Sequence, residues 1–250
     1  VPPVLDDAIC IRQWDWSETS QTVSLFTRSL GVVRGLAKGA RRPKAPYSGG
    51  LEILTRGTAG IILKQSSDVA LITEWDLLEQ FPALRRSLDA HYAGLYMAEL
   101  VHYAVHDHDP HPALFDSLLD SLRALADDLA RRVALVNFQW AVLVETGYRP
   151  ELTCDVRTAE VLPEAPSYRF HPALGGLIPD TPGEAPDAWR VRRQTIELLG
   201  RLPLPTTGAA APPTREQADR AGMLLASYLR YVLGRDPRML PYLYDRQIPR

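Results

Sequence analysis

Arg34, Lys38, Arg41, Arg42 and Lys44 crowd into one stretch, Arg34-Gly-Leu-Ala-Lys38-Gly-Ala-Arg41-Arg42-Pro-Lys44. Guanidinium and ammonium groups at this density are suited to holding phosphates. On an extended strand Arg34 and Lys38 project from the same face about 13 Å apart. Arg41, Arg42 and Lys44 carry the track into the following loop, where Pro43 limits its freedom. Contacts of this kind position a nucleic acid without reading its sequence. Between Thr19 and Leu51 there is no Asp or Glu, and with Arg28 the window carries +6 in a chain of net charge −2, leaving −8 for the remainder. Such segregation marks a polyanion-binding patch; the plainer alternative is a solubilising loop on an ordinary domain. Gly31, Gly35, Gly39, Gly49 and Gly50 let the backbone turn or approach a ligand closely. Aromatic rings beside a basic groove can stack bases. Of Trp14, Trp16, Phe26, Tyr47 and Trp75, Phe26 reads as core, and Tyr47, next to the basic run, is the best stacking candidate.

A second cluster joins His102, His106, His108 and His111 with Asp107 and Asp109. Histidines four apart share one helical face, as metal ligands do. Tyr103 follows His102, so the general-base glutamate of a metalloprotease motif is missing. A polar helix end before Pro110 explains the cluster equally well. There is no Gly-x-Ser-x-Gly elbow, Walker phosphate loop or dinucleotide fingerprint. Carboxylate pairs such as Asp127-Asp128 read as solvated helix surface. Nothing here has the pattern of an enzyme.

The elements that would carry these residues change character along the chain. Residues 9–14, Thr22–Thr27, Val32–Lys38, Leu51–Thr55, Ile61–Lys64 and Val69–Thr73 read as short strands, with turns at Ser29–Gly31 and Gln65–Asp68. About five strands with glycine-marked bends in the first 80 residues suit a small barrel such as an OB-fold. After Phe81-Pro82 the apolar period shifts to about 3.6. Leu95, Ala98, Val101 and Val105 form one stripe, and Leu114, Leu118, Leu122, Leu125 and Leu129 another. Val133–Val144 is apolar nearly all round, as in a buried helix. Residues 151–188 are rich in proline and glycine and read as an irregular insert. Helices follow over about 188–199 and, from a Thr214-x-x-Gln217 capping box, to Leu233.

At 250 residues with 46% hydrophobic content, the chain has room for one large domain or two smaller ones. A sequence pI near 6.3 confines any nucleic-acid site to a patch. No apolar run reaches membrane-spanning length, Asp6 and Asp7 interrupt any signal-like start, and two cysteines, Cys10 and Cys154, make no disulfide framework. A cytoplasmic protein is the expectation.

Several segments together resemble the bacterial RecO family of recombination mediators and DNA-repair proteins. They are Asp7-Ala-Ile, Gln13-Trp-Asp-Trp-Ser-Glu18, Ser24-Leu-Phe-Thr-Arg28, the run Gly31–Lys44 and Gly50-Leu-Glu52. The likeness continues through Phe81-Pro-Ala-Leu84, Pro112-Ala-Leu-Phe-Asp116, Gly147-Tyr-x-Pro-Glu-Leu152 and Tyr231-Val-Leu-Gly-Arg235. The resemblance implies an α+β protein: an N-terminal OB-fold over residues 1–80, then a helical domain over 81–250. It implies binding of single- and double-stranded DNA, annealing of complementary strands, and help in loading recombinase onto DNA covered by single-strand-binding protein. The implied partners are RecR and the C-terminal tail of single-strand-binding protein. DNA contacts would fall on Arg34, Lys38, Arg41, Arg42, Lys44 and Tyr47. Another OB-fold binder, for instance of RNA, and a metal enzyme built on the histidines are the competing readings.

One departure stands out. Many members of that family carry a four-cysteine zinc site after the Tyr-x-Pro-Glu-Leu segment. In this sequence Cys154 matches the first ligand, Arg157 stands at the second, and Pro179 and Pro182 replace the other pair. One thiolate cannot build a tetrahedral site, so no metal or cofactor is expected, and residues 151–188 would be a degenerate zinc-finger-like insert.

Overall fold

The computed structural model describes residues 2–47, 50–64, 67–181, 183, 185–204 and 212–244. Gly49, Gln65, Ser66 and Pro182, to which sequence expectations attach, lie outside the described residues. The chain divides into two compact units, Val1–Arg123 and Ala124–Arg250.

The first unit is built on strands β1 (Val4–Asp15), β2 (Gln21–Thr27), β3 (Gly31–Ala37), β4 (Arg56–Lys64) and β5 (Ser67–Glu79). They close into a barrel in the order β1-β2-β3-β5-β4, with β3 and β5 parallel and the other pairs antiparallel. This is an OB-fold. Alternation sends Ala8, Cys10, Val23, Leu25, Val33, Ala37, Ile61 and Ile72 inward around Trp75. Burial pushes the Cys10 thiol up to about 12, so it acts as a small apolar side chain rather than a nucleophile. Ile9, Ile11 and Phe26 are also buried, but outside that inner cluster. Helices cover their face, and Phe26 meets Phe115 at 5.7 Å between ring centroids. A bulge between Cys10 and Arg12 shifts the register of β1 and re-aims the end of the strand.

Three helices belong to this unit: α1 (Pro82–Arg86), α2 (Leu88–Ala104) and α3 (Pro112–Arg123). Ser87 caps α2 by accepting from the Ala90 amide at 3.3 Å. Beyond α2 the chain crosses β3: the His108 amide donates to the Val32 carbonyl at 3.0 Å. Gly31 allows this crossing, since a Cβ built there would sit 2.3 Å from the Asp109 carbonyl oxygen. Arg28 grips Asp116 of α3 through two bonds of 2.5 and 2.8 Å.

Arg123 donates to both carboxylate oxygens of Glu79, at 3.0 and 2.7 Å, and Arg56 joins Glu79 to Asp7. The Arg123 hydrogen bonds, opposed by partial burial, hold the Glu79 carboxyl below its usual range. A depressed folded-state pKa stabilises above the unfolded value, about 4.3 for Glu, and that stability is lost as pH falls through the folded value. Glu79→Gln should therefore weaken the dependence of the urea midpoint on pH below about 4.3. Urea melts of both proteins across that range check this. Parallel acid limbs would mean that the pair contributes nothing.

The second unit contains α4 (Asp128–Glu145), a sheet of β6 (Ser167–His171), β7 (Gly176–Pro179) and β8 (Trp189–Arg192) in the order β7-β6-β8, then α5 (Arg193–Leu199) and α6 (Arg215–Leu233). Residues 151–188 are thus not wholly irregular. Strands of four or five residues, flanked by prolines, are too short to show a period. The helix expected over 188–199 begins only at Arg193, because Trp189–Arg192 pairs with β6. Asp127 caps α4 through the Leu129 and Ala130 amides. The Thr214–Gln217 capping box opens α6, which ends at Leu233 as the sequence indicates. Phe170 joins sheet to helix, stacking on Trp189 and meeting Tyr228 edge-on at 4.9 Å. Among the described residues no helix is long and apolar enough to cross a membrane.

Candidate nucleic-acid interface

The connection from β3 to β4 is fixed at both ends and projects in between. At its far end the Tyr47 ring is buried, with 3% of its surface exposed. Its hydroxyl donates to the Ile72 carbonyl at 2.7 Å, and the Trp75 amide donates to the Pro46 carbonyl at 2.9 Å. The buried Gln21 side chain brackets the Leu51 backbone through two 3.4 Å bonds. At its near end the loop is tied to the β1–β2 hairpin. The Gly39 amide donates to Ser20 Oγ at 3.1 Å, the Arg41 amide to the Thr19 carbonyl at 3.1 Å, and Arg41 Nη2 to Asp15 Oδ1 at 2.5 Å. Between these anchors the backbone makes two successive turns, Arg42 amide to Gly39 carbonyl and Ala45 amide to Arg42 carbonyl.

This geometry sorts the five cations. Lys38, Arg41, Arg42 and Lys44 are exposed on the loop, and Arg34 is exposed on β3, where Gly35 and Ala37 face the barrel interior. Arg34 Nε lies 3.1 Å from Asp107 Oδ2, and Arg41 is held by Asp15. Among the described residues, Lys38, Arg42 and Lys44 form no ion pair. Those three present uncompensated charge, whereas Arg34 and Arg41 must exchange a carboxylate for an incoming phosphate. Exposed pairs of this kind are worth about 0–1 kcal/mol, so the exchange is easily made. Neither counter-ion was foreseen: Asp15 lies across the hairpin, and Asp107 follows α2.

Tyr47 is corrected as a stacking residue. Both faces of its ring are enclosed in the barrel core, where it anchors the basic loop. Phe26 and Trp75 are buried too, while Trp14 and Trp16 are exposed.

Two family descriptions cover most of the sequence: Recombination protein O N terminal matches residues 3–81, and Recombination protein O C terminal matches residues 85–241. The chain belongs to the RecO family. It is 34% identical over 245 residues to the DNA repair protein RecO of Roseiflexus sp. (strain RS-1), covering 96% of this chain and 84% of the relative. It is 30% identical over 266 residues to the protein of the same name from Rhodopirellula baltica, with 96% and 98% covered. The protein of that name from Anaeromyxobacter sp. (strain Fw109-5) is 32% identical over 234 residues, 91% of this chain and 90% of the relative.

The zinc module that the RecO resemblance implies does not fit the residues present. Cys154 is partly buried and bridges Val161. Arg157, at the second ligand position, instead donates to both Asp155 oxygens at 3.2 and 3.0 Å. Its hydrogen bonds pull the Asp155 carboxyl down. Pro179 lies in β7 opposite Tyr168. A hydrogen bond and two ion pairs cross-link this region: Asp180 accepts from Ser167, Arg169 and Arg190 at 2.7, 3.1 and 2.8 Å.

The histidines are also separated. His102 lies in the last turn of α2 and bonds Arg12; the helix stops at Ala104, so His106 is not on its face. His111 bonds Asp109 at 3.3 Å. Among the described residues no group of three His, Cys, Asp or Glu could hold a metal ion.

Proposed function

We propose that this protein is a non-enzymatic recombination mediator that binds single- and double-stranded DNA, anneals complementary strands and helps load recombinase onto DNA covered by single-strand-binding protein. The observation that carries this reading is the anchored, projecting loop with Lys38, Arg42 and Lys44 uncompensated at the end of an OB barrel. A loop held at both ends presents its charges without a large ordering cost on binding. Family membership supplies the link to DNA repair. RecR is the partner that the resemblance to the RecO family implies.

The acidic C-terminal tail of single-strand-binding protein belongs on the second unit. Of the two basic pairs there, Arg131-Arg132 and Arg192-Arg193, Arg131 and Arg132 are already engaged by Asp128, Arg132 also by Asp219, and Arg193 by Glu197. Arg192 is exposed beside a cleft of about 270 Å³ whose apolar wall includes Trp189, Val191, Met223 and Leu224. An apolar wall with a basic rim suits a peptide ending in a hydrophobic side chain and a carboxylate.

Annealing of complementary strands, measured bare and coated with cognate single-strand-binding protein, tests both parts. The wild-type protein should accelerate both reactions. Arg192→Glu should keep bare-strand annealing and lose most of the coated-strand reaction. Failure of the wild type to anneal bare strands would refute the mediator reading, and an unaffected Arg192→Glu variant would move the tail elsewhere.

A further inference from the structure

Trp16 is 69% exposed and Trp14 is 46% exposed, both at the tip of the β1–β2 hairpin. Burying an indole contributes substantially to stability, yet these two stay exposed while Ile9, Ile11, Val23, Leu25 and Phe26 of the same strands are buried. The tip is ordered. The Trp16 and Ser17 amides donate to the Ser20 carbonyl at 3.0 and 3.2 Å, and the Ser20 amide donates to Ser17 Oγ at 3.2 Å. The three bonds from Gly39 and Arg41 to Ser20, Thr19 and Asp15 then lock this tip against the basic loop. Arg12 places its guanidinium 4.8 Å from the centre of the Trp14 ring and also meets His102. One face of Trp14 is therefore taken, and the side chain is braced.

We propose that Trp16, on the hairpin tip tied to the basic loop, is a stacking platform for unpaired bases whose phosphates lie along Lys38, Arg42 and Lys44. The proposal rests on the mediator reading and adds to it a basis for telling single strands from duplex. Both forms offer phosphates to the loop. Only a single strand has bases free to leave their neighbours and lie on an indole, since a duplex would first have to unstack and unpair. The platform is tolerant of sequence, because every base has a π-face.

Equilibrium binding of an oligo-deoxythymidine strand and of a duplex separates the possibilities, using the full chain with Trp16→Ala, with Trp16→Tyr, and with Lys38, Arg42 and Lys44 all changed to Ala. Trp16→Ala should weaken single-strand binding about five- to a hundredfold and leave duplex binding and the urea midpoint unchanged. Trp16→Tyr should recover most of the loss. Equal losses on both DNAs, or no loss on the single strand, would overturn the platform. If the triple variant still loses binding in that case, the loop reading stands and only the stacking role fails. If the triple variant binds normally, the DNA site itself is misplaced.

Discussion

Changing Lys38, Arg42 and Lys44 together to alanine will weaken single-stranded DNA binding about a hundredfold near 0.1 M salt. The estimate follows from counterion release. Each phosphate neutralised on a single strand contributes about 0.7 to the log–log salt slope, so near 0.1 M each contact is worth about fivefold. Five contacts, from Arg34, Lys38, Arg41, Arg42 and Lys44, would give a slope of about −3.5, and the triple variant about −1.4. Arg34→Ala/Arg41→Ala tests the sorting of the cations. It removes two contacts and also strips Asp107 and Asp15 of their partners, leaving unpaired negative charge beside the site. Its slope should fall to about −2.1, with affinity reduced further than two contacts alone require. Titrations from low to moderate salt measure both quantities. A triple variant with the wild-type slope would place the phosphates elsewhere on the chain.

How far this site was legible depended on the range of the interactions. The basic run and its lack of nearby acids could be read directly, because charge composition is local. The capping box at Thr214 and Gln217 was equally legible, and it sets the start of α6 to the residue. Tyr47 was not. Its position beside the basic run pointed outward, while the register that brings Ile72 within 2.7 Å of its hydroxyl depends on β5, a strand away in sequence. Trp14 and Trp16 alternate with Asp15 and are indistinguishable by pattern from core tryptophans until the bulge at Cys10–Arg12 fixes which face they take. Leu51–Thr55 looked like a strand, but Leu54 adopts a left-handed conformation with φ of 58°, and Leu54 and Thr55 pair with β1 through just two backbone bonds, both to Cys10. The stripe Leu114–Leu129 spans a break, since α3 ends at Arg123 and Asp127 caps the next helix. Apolar spacing persists across the interruption because Leu125 is buried as deeply as Leu122.

Gly31→Ala will be among the most damaging single substitutions in the first unit. Gly31 has φ of 71°, and an added Cβ would lie 2.3 Å from the Asp109 carbonyl oxygen and 2.6 Å from its carbonyl carbon and amide nitrogen. The left-handed conformation alone costs a non-glycine residue about 1–2 kcal/mol. The backbone contact adds to that, because no rotamer change relieves it. The segment after α2 must lift off β3, which would break the His108–Val32 hydrogen bond and draw Asp107 away from Arg34. A total loss of roughly 3–5 kcal/mol is expected, in the range reserved for strain and broken networks. Gly147→Ala supplies the control. That residue has φ of 81° but nothing within 4 Å of its would-be Cβ, so it should pay only the conformational cost of about 1–2 kcal/mol. Urea denaturation of the two variants and the wild type gives both values. Similar losses at the two positions would show that the segment after α2 yields freely and is not packed on β3 as a fixed part of the barrel's outer layer. A large loss at Gly31 alone would mean that the Arg34–Asp107 pair sits on a rigid base, so that its exchange for a phosphate changes charge at the site without moving the backbone.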